Sequence, residues 1–101
     1  MEELNRNSKQ TINTTAVAVS QEKDNNNLKR SSIILSNSSV GGQIITISID
    51  EEAVVGEGIV LGTGSSWSDT RDGNYMPTQK YISAISSAAG GILSIQERNL
   101  R

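Results

Sequence analysis

Apolar and polar positions alternate along much of this chain in short runs broken by glycine, serine, asparagine and acidic residues. The clearest run is QIITISID, Gln43 to Asp50, with Ile45, Ile47 and Ile49 on one side and Thr46 and Ser48 on the other. A period of two is the mark of a half-buried strand. An earlier apolar run, Ile33 to Leu35, sits in KRSSIILSNSS, and the intervening SNSSVGG supplies the residue types of a hairpin loop. Further segments follow at GIVL (Gly58–Leu61) and SSWSD (Ser65–Asp69), separated by Gly62-Thr63-Gly64. Asp72-Gly73 is a favoured tight-turn pair, and the single proline, Pro77, lies just beyond it. KYISAIS and GILSIQE form the last two segments, joined by the small residues Ala88, Ala89, Gly90 and Gly91. Ile82 and Ile85 before that turn, and Leu93 and Ile95 after it, are the core candidates there. Paired glycines and flanking β-branched residues disfavour helix. The pattern predicts an all-β domain, a small antiparallel β-sandwich or barrel.

The chain changes character near Leu28. Upstream lie Asn, Thr, Ser and Gln in excess, ending in the linker-like cluster at Asn25-Asn26-Asn27. Within that region TINTTAVAVS places Thr15, Val17 and Val19 on one side of an extended chain and Ala16 and Ala18 on the other. The region is poor in large apolar residues, so residues 1–27 are expected to form a mobile, extended N-terminal arm and residues 28–101 the sandwich body. An arm of this kind can add a strand to a neighbour through main-chain hydrogen bonds. Thr14, Thr15, Val17 and Val19 are the candidate partner-binding residues of the arm.

Composition sharpens this picture. Hydrophobic residues make up 35% of the 101 residues, with no Phe, one Trp and two Tyr, so the core is thin and built of aliphatic side chains. A small chain of this kind is commonly stabilised by oligomerisation or by docking on a partner. Cysteine and histidine are both absent. That removes disulfides, thiolate nucleophiles, zinc-thiolate sites and the commonest general base. No cofactor is expected. The net charge of −2, with acids and bases scattered, gives no footprint for a nucleic acid backbone. The polar opening MEELNRNSKQ is unlike a signal peptide, and no apolar run approaches the roughly 18 residues of a membrane helix. Synthesis and assembly in the cytoplasm, with no membrane partner, are expected.

The remaining motifs favour bland readings. Asp50, Glu51, Glu52 and Glu57 in DEEAVVGEG lack the spacing of a calcium loop and read as a solvated turn in preference to a catalytic pair. Gly56-Glu57-Gly58 and Gly62-Thr63-Gly64 open no helix and carry no Gly-Lys-Ser/Thr, so they are turns, with no phosphate loop. Trp67 and Tyr75 could stack on a sugar or a partner, but in so aromatic-poor a chain a core or interface role is the better reading. Lys29 and Arg30 read as solvated charges at the start of the first body strand.

The order SSIILSNSSVGGQIITISI, then AVVGEGIVLGTGSSWSD, then ISAISSAAGGILSIQERNL, from Arg30 to Leu100, resembles small accessory virion proteins of tailed bacteriophages and prophages. The most specific pieces are the asparagine-bearing strand before Gly-Gly-Gln, the GIVL step and the closing AISSAAGGILSIQE. The resemblance implies a β-sandwich that decorates or cements the capsid. Its implied partner is the major capsid protein or another virion protein, and its implied location is the virion, after synthesis in the host cytoplasm. A homo-oligomer is expected, a trimer being one candidate. A neck, tail or fibre-attachment component and a carbohydrate-binding module for the host surface, using Trp67 and Tyr75, are the alternatives. A small hydrolase built on the acids near Asp50 ranks below both, and the chain is read as a non-enzyme.

Overall fold

The computed structural model describes residues 3–23 and 29–100. Among them eight strands form: β1 (Glu3–Ile12), β2 (Val17–Ser20), β3 (Lys29–Asn37), β4 (Ile45–Ile49), β5 (Ile59–Leu61), β6 (Ser66–Thr70), β7 (Ile82–Ser86) and β8 (Gly91–Leu100). They build two four-stranded sheets, one ordered β1-β8-β3-β6 and the other β2-β7-β4-β5. Every pairing is antiparallel. The first strand pairs with the last, the second with the seventh, the third with the sixth and the fourth with the fifth. A long antiparallel ribbon, folded at the β4–β5 turn and rolled up, gives this order, which is that of the eight-stranded jelly roll. The all-β sandwich expected from the alternation is therefore present, in that specific winding.

The two sheets close on one aliphatic core. Ile12 of β1, Val19 of β2, Ile33 and Leu35 of β3, Ile45 and Ile47 of β4, Leu61 of β5, Ile82 and Ala84 of β7, and Leu93 and Ile95 of β8 are all buried there. Each large aliphatic side chain so buried contributes roughly 1.5–3 kcal/mol. Trp67, Val17, Ile49 and Ile59 pack against the same cluster from its margins. Ile85 is a correction to the predicted core: strand alternation turns Ala84 inward, so Ile85 faces outward, opposite Thr46.

Two further expectations are corrected. The N-terminal region is no free arm: β1 pairs with β8 from Glu3↔Leu100 to Ile12↔Gly91, and β2 pairs with β7. An edge strand is held mainly by its main-chain ladder, so the polar stretch preceding Ile12 needs little apolar content to be part of the sheet. Side chains of β1 also bridge to the other sheet, with Arg6 Nη1 donating to Val19 O at 3.0 Å and Gln10 Nε2 to Ala18 O at 3.4 Å. The expected boundary at Asn27 and Leu28 lies outside the described residues. The second correction concerns SNSSVGG, which makes no hairpin, because β3 and β4 belong to different sheets.

That crossover is held by Asn37, which is buried. Its side-chain Nδ2 donates to Gln43 O and Leu61 O, each at 2.8 Å, and its Oδ1 accepts from Ser39 N at 3.0 Å. The Gln43 side chain ties the loops together, accepting from Gly41 N at 3.0 Å and donating to Ala89 O at 3.1 Å. The β7–β8 crossover lies alongside. Gly90 adopts a φ of 82°, and a Cβ on Gly91 would lie 2.8 Å from Ser86 Oγ and 3.0 Å from Ile12 O. One glycine makes the turn and the other lets three strands meet.

Candidate functional site

Three places concentrate polar chemistry or exposed apolar surface: a buried ion cluster at one end of the sandwich, and its two outward faces.

The cluster is centred on Arg30, whose side chain is fully buried. Its Nε donates to Glu97 Oε2 at 3.0 Å, its Nη2 to Ser20 Oγ at 2.6 Å and Gln21 O at 3.1 Å, and its Nη1 to the carbonyls of Thr78 and Lys80. Ser20 Oγ in turn donates to Glu97 Oε2. Glu97 also accepts from Asn99 Nδ2 at 3.3 Å and lies 3.8 Å from Lys23 Nζ. Gln79 clasps the Arg30 main chain, accepting from its N–H at 2.7 Å and donating to its carbonyl at 2.9 Å. Burial by itself would raise the Glu97 carboxyl, but the hydrogen bonds from Ser20, Arg30 and Asn99 and the Lys23 charge outweigh it and hold the group below its ordinary value. The cluster joins β3 and β8 of one sheet to β2 and the segment before β7 of the other. It is a polar rivet whose donors are turned onto the chain itself. Reading Arg30 as solvated was wrong, whereas Lys29 is exposed as expected.

The sequence-predicted partner residues do not form one site. Thr14 and Thr15 are exposed in the β1–β2 turn, Val17 is half-buried against the core, and Val19 is within it. Trp67 faces inward from β6, opposite Leu35, and packs on the core margin. Tyr75 is exposed in the Asp72–Tyr75 turn, and its hydroxyl donates to Asp69 Oδ1 at 2.6 Å. That hydrogen bond, followed by desolvation and the Asp69 charge, raises the phenol above its ordinary value. Asp69 is used twice, since its Oδ2 accepts from Thr78 N at 2.9 Å. The aromatic pair is thus divided between packing and turn closure.

The outward faces differ in chemistry. Strands β2, β4, β5 and β7 contain no charged residue at all. On their outer side Val60, Thr46 and Ile85 stand in one row, with Ile44 beside them by alternation. The Asp50–Gly58 loop folds over this side, Gly56 N donating to Thr46 Oγ1 at 3.0 Å and Ser83 Oγ to Glu51 O at 2.5 Å. The loop exposes Val54 and Val55 at 51% and 50%, flanked by the exposed acids Glu51, Glu52 and Glu57. The opposite face, on β1, β8, β3 and β6, presents amides, hydroxyls and cations. There Asn7, Lys9, Ser94, Gln96, Ser36 and Ile34 line a shallow groove of about 410 Å³. Among the described residues no group of three or more acidic, histidine or cysteine side chains is placed to hold a metal.

The sequence matches no protein-family model and no curated protein. Its structure matches solved ones. A chain from the Bacillus endospore appendages, a family of disulfide-linked pili, superposes with a TM-score of 0.64 at 17% identity, covering 98% of this chain and 86% of the other. A chain of the acidic stable capsid of Helicobacter pylori bacteriophage KHP30 superposes with a TM-score of 0.53 at 9% identity, covering 98% and 87%. At these identities the likeness is one of fold. The structural neighbours include a pilus protein and a phage capsid protein.

Proposed function

We propose that this chain is a structural subunit of a bacteriophage virion, a cement or decoration protein that binds the major capsid protein and stabilises the shell. The observation that carries the reading is the outer side of β2, β4, β5 and β7: an uncharged sheet with exposed Ile44, Val60, Val54 and Val55 on a domain otherwise well supplied with surface polar groups. Exposed apolar side chains gathered on one side of a small domain mark an interaction site, as a subunit built into an assembly requires, whether its neighbour there is the shell or another copy. Binding only the assembled shell would stabilise it by mass action. The resemblance of Arg30–Leu100 to accessory virion proteins and the fold likeness to a phage capsid chain both favour this setting. The role is non-enzymatic, and its location is the particle.

A second reading, a subunit of a pilus-like fibre, is favoured by the higher fold likeness to the endospore appendage chain. That relative belongs to disulfide-linked pili, and this chain has no cysteine, so its own assembly would be held without disulfides. The carbohydrate-binding alternative loses support from the inward packing of Trp67, because a sugar platform needs an exposed ring face.

Co-sedimentation of the purified full chain with phage shells lacking it tests the proposal. Saturable binding at a fixed ratio to the major capsid protein is expected. Absence of binding, with fibres formed by the chain alone, would move the assignment to the pilus-like reading.

A further inference from the structure

We infer that a second copy of this chain is the occupant of the apolar, acid-rimmed face, docked head-to-tail: the Asp50–Gly58 loop of one copy seats in the groove on the β1-β8-β3-β6 face of the next. The inference rests on the structural-subunit reading and specifies how the subunit meets its own kind.

Three observations converge. The first is charge. The Asp50–Gly58 loop carries four acids, Asp50, Glu51, Glu52 and Glu57, and no base. Across the molecule, the outward positions of β1, β8 and β3 include Lys9, Arg98 and Lys29, whereas Glu97 of β8 and Asp69 of β6 face inward; Glu3 of β1 pairs with Leu100, at the far end of the β1–β8 ladder from Ile12. The loop is therefore acidic and the groove carries the cation Lys9, which favours a contact between loop and groove and opposes one between two loops. The second is shape. Val54 and Val55 are exposed on the loop, which is tied to the sheet through Thr46 and Ser83, and the opposite face offers a groove lined by residues that include the exposed Ile34 and Lys9. The third is size. The molecule is 40 Å long and 20–22 Å across, so the contact must spread from the loop over most of a broad face to reach the roughly 800 Å² that a stable interface buries on each partner, and a face of that extent is present.

A contact between two different faces of the same chain is heterologous. It closes into a ring such as a trimer if the rotation permits, and otherwise runs on as a row. It does not stop at a two-fold dimer.

The test is sedimentation velocity of the full chain over a range of concentrations, with Lys9→Glu, Glu52→Lys and an equimolar mixture of the two. Both positions are exposed, and circular dichroism checks that each variant is folded. The unaltered chain is expected to form species larger than a dimer. Each single variant should associate at least about tenfold more weakly, because a like charge then faces a like charge. The mixture should recover association along an alternating row or in an even-membered ring, while in an odd ring such as a trimer one contact stays between like variants and recovery is partial. At one contact the two substituted positions meet with their charges exchanged, and at the next the unaltered Lys9 of one variant meets the unaltered Glu52 of the other. Val55→Ser gives an uncharged control and should also weaken association. A two-fold dimer as the limiting species, a monomer at every concentration, or association untouched by all the variants would overturn the inference. A monomer that still binds phage shells saturably would do so while leaving the structural-subunit reading in place.

Discussion

Glu97→Gln tests the polar rivet with almost no change in shape. The substitution keeps an acceptor oxygen near Arg30 Nε and Ser20 Oγ but removes the charge that balances a fully buried guanidinium. Breaking a buried pair by removing one partner costs about 3–5 kcal/mol. Arg30 retains its bonds to Ser20 and to the carbonyls of Gln21, Thr78 and Lys80, so the lower end, about 3 kcal/mol, is expected. With a urea slope of about 1.5 kcal/mol/M for a domain of this size, the unfolding midpoint at pH 7 should fall by about 2 M. The double substitution Arg30→Met, Glu97→Leu should cost much less than the sum of the two single losses, because neither fully buried charge is left facing an empty place and the partly exposed Lys23 can turn to solvent. The pH dependence follows from the lowered carboxyl. A Glu that titrates lower in the folded state than its unfolded value of about 4.3 stabilises the fold above that pH, and the contribution is lost as pH falls through the folded value. The stability gap between the unaltered chain and Glu97→Gln should therefore narrow on acidification below about pH 4.3. Midpoints within about 0.3 M of each other at pH 7, or strictly additive single losses, would refute the rivet.

Deleting residues 1–27 removes two strands together with Ile12, Val19 and Ser20, so the remainder should lack cooperative thermal unfolding by circular dichroism; a sharp transition would contradict the integration of β1 and β2. Asn37→Ala strips the donor from the buried Leu61 carbonyl and the part-buried Gln43 carbonyl and should cost about 2–3 kcal/mol in urea titration, with amide exchange rising first in the 38–44 crossover. Gly91→Ala should cost about 1–3 kcal/mol, read as a drop in melting temperature, because its Cβ meets Ser86 Oγ and Ile12 O. Tyr75→Phe removes only the bond to Asp69 at an exposed turn and should shift the melting temperature by no more than a few degrees.

Strands β4 and β8 were readable because Ile45, Ile47 and Ile49, and Leu93 and Ile95, recur at every second position; β7 was readable as a strand but not in its facing, since its core face carries the small Ala84 between Ile82 and Ser86 while Ile85 points out. Strand β1 was not readable. Its run ELNRNSKQT carries no periodic apolar signal, and what fixes it is a ladder to β8, nearly the whole chain away in sequence. The winding was equally out of reach, since SNSSVGG has the residue types of a hairpin loop and only long-range pairing sends β4 to the other sheet. Arg30 illustrates how irregularity defeats a pattern: the register shift between Arg30 and Ser32 breaks the parity set by Ile33, Leu35 and Asn37 and turns Arg30 inward. Glu97 did carry a signal, because Leu93, Ile95, Glu97 and Asn99 occupy one face of β8, and a charge on a core face calls for a buried counter-charge. The opposed chemistry of the two outward faces needed the topology, since each face gathers residues from four separated strands.

As a proposed virion subunit, this jelly roll should occupy many equivalent positions on one particle. Immunogold electron microscopy of purified phage particles, with an antibody raised against the full chain, reads this out. Label at regular, repeated positions on every shell is predicted. Label confined to unassembled protein, with particles unmarked, would contradict it.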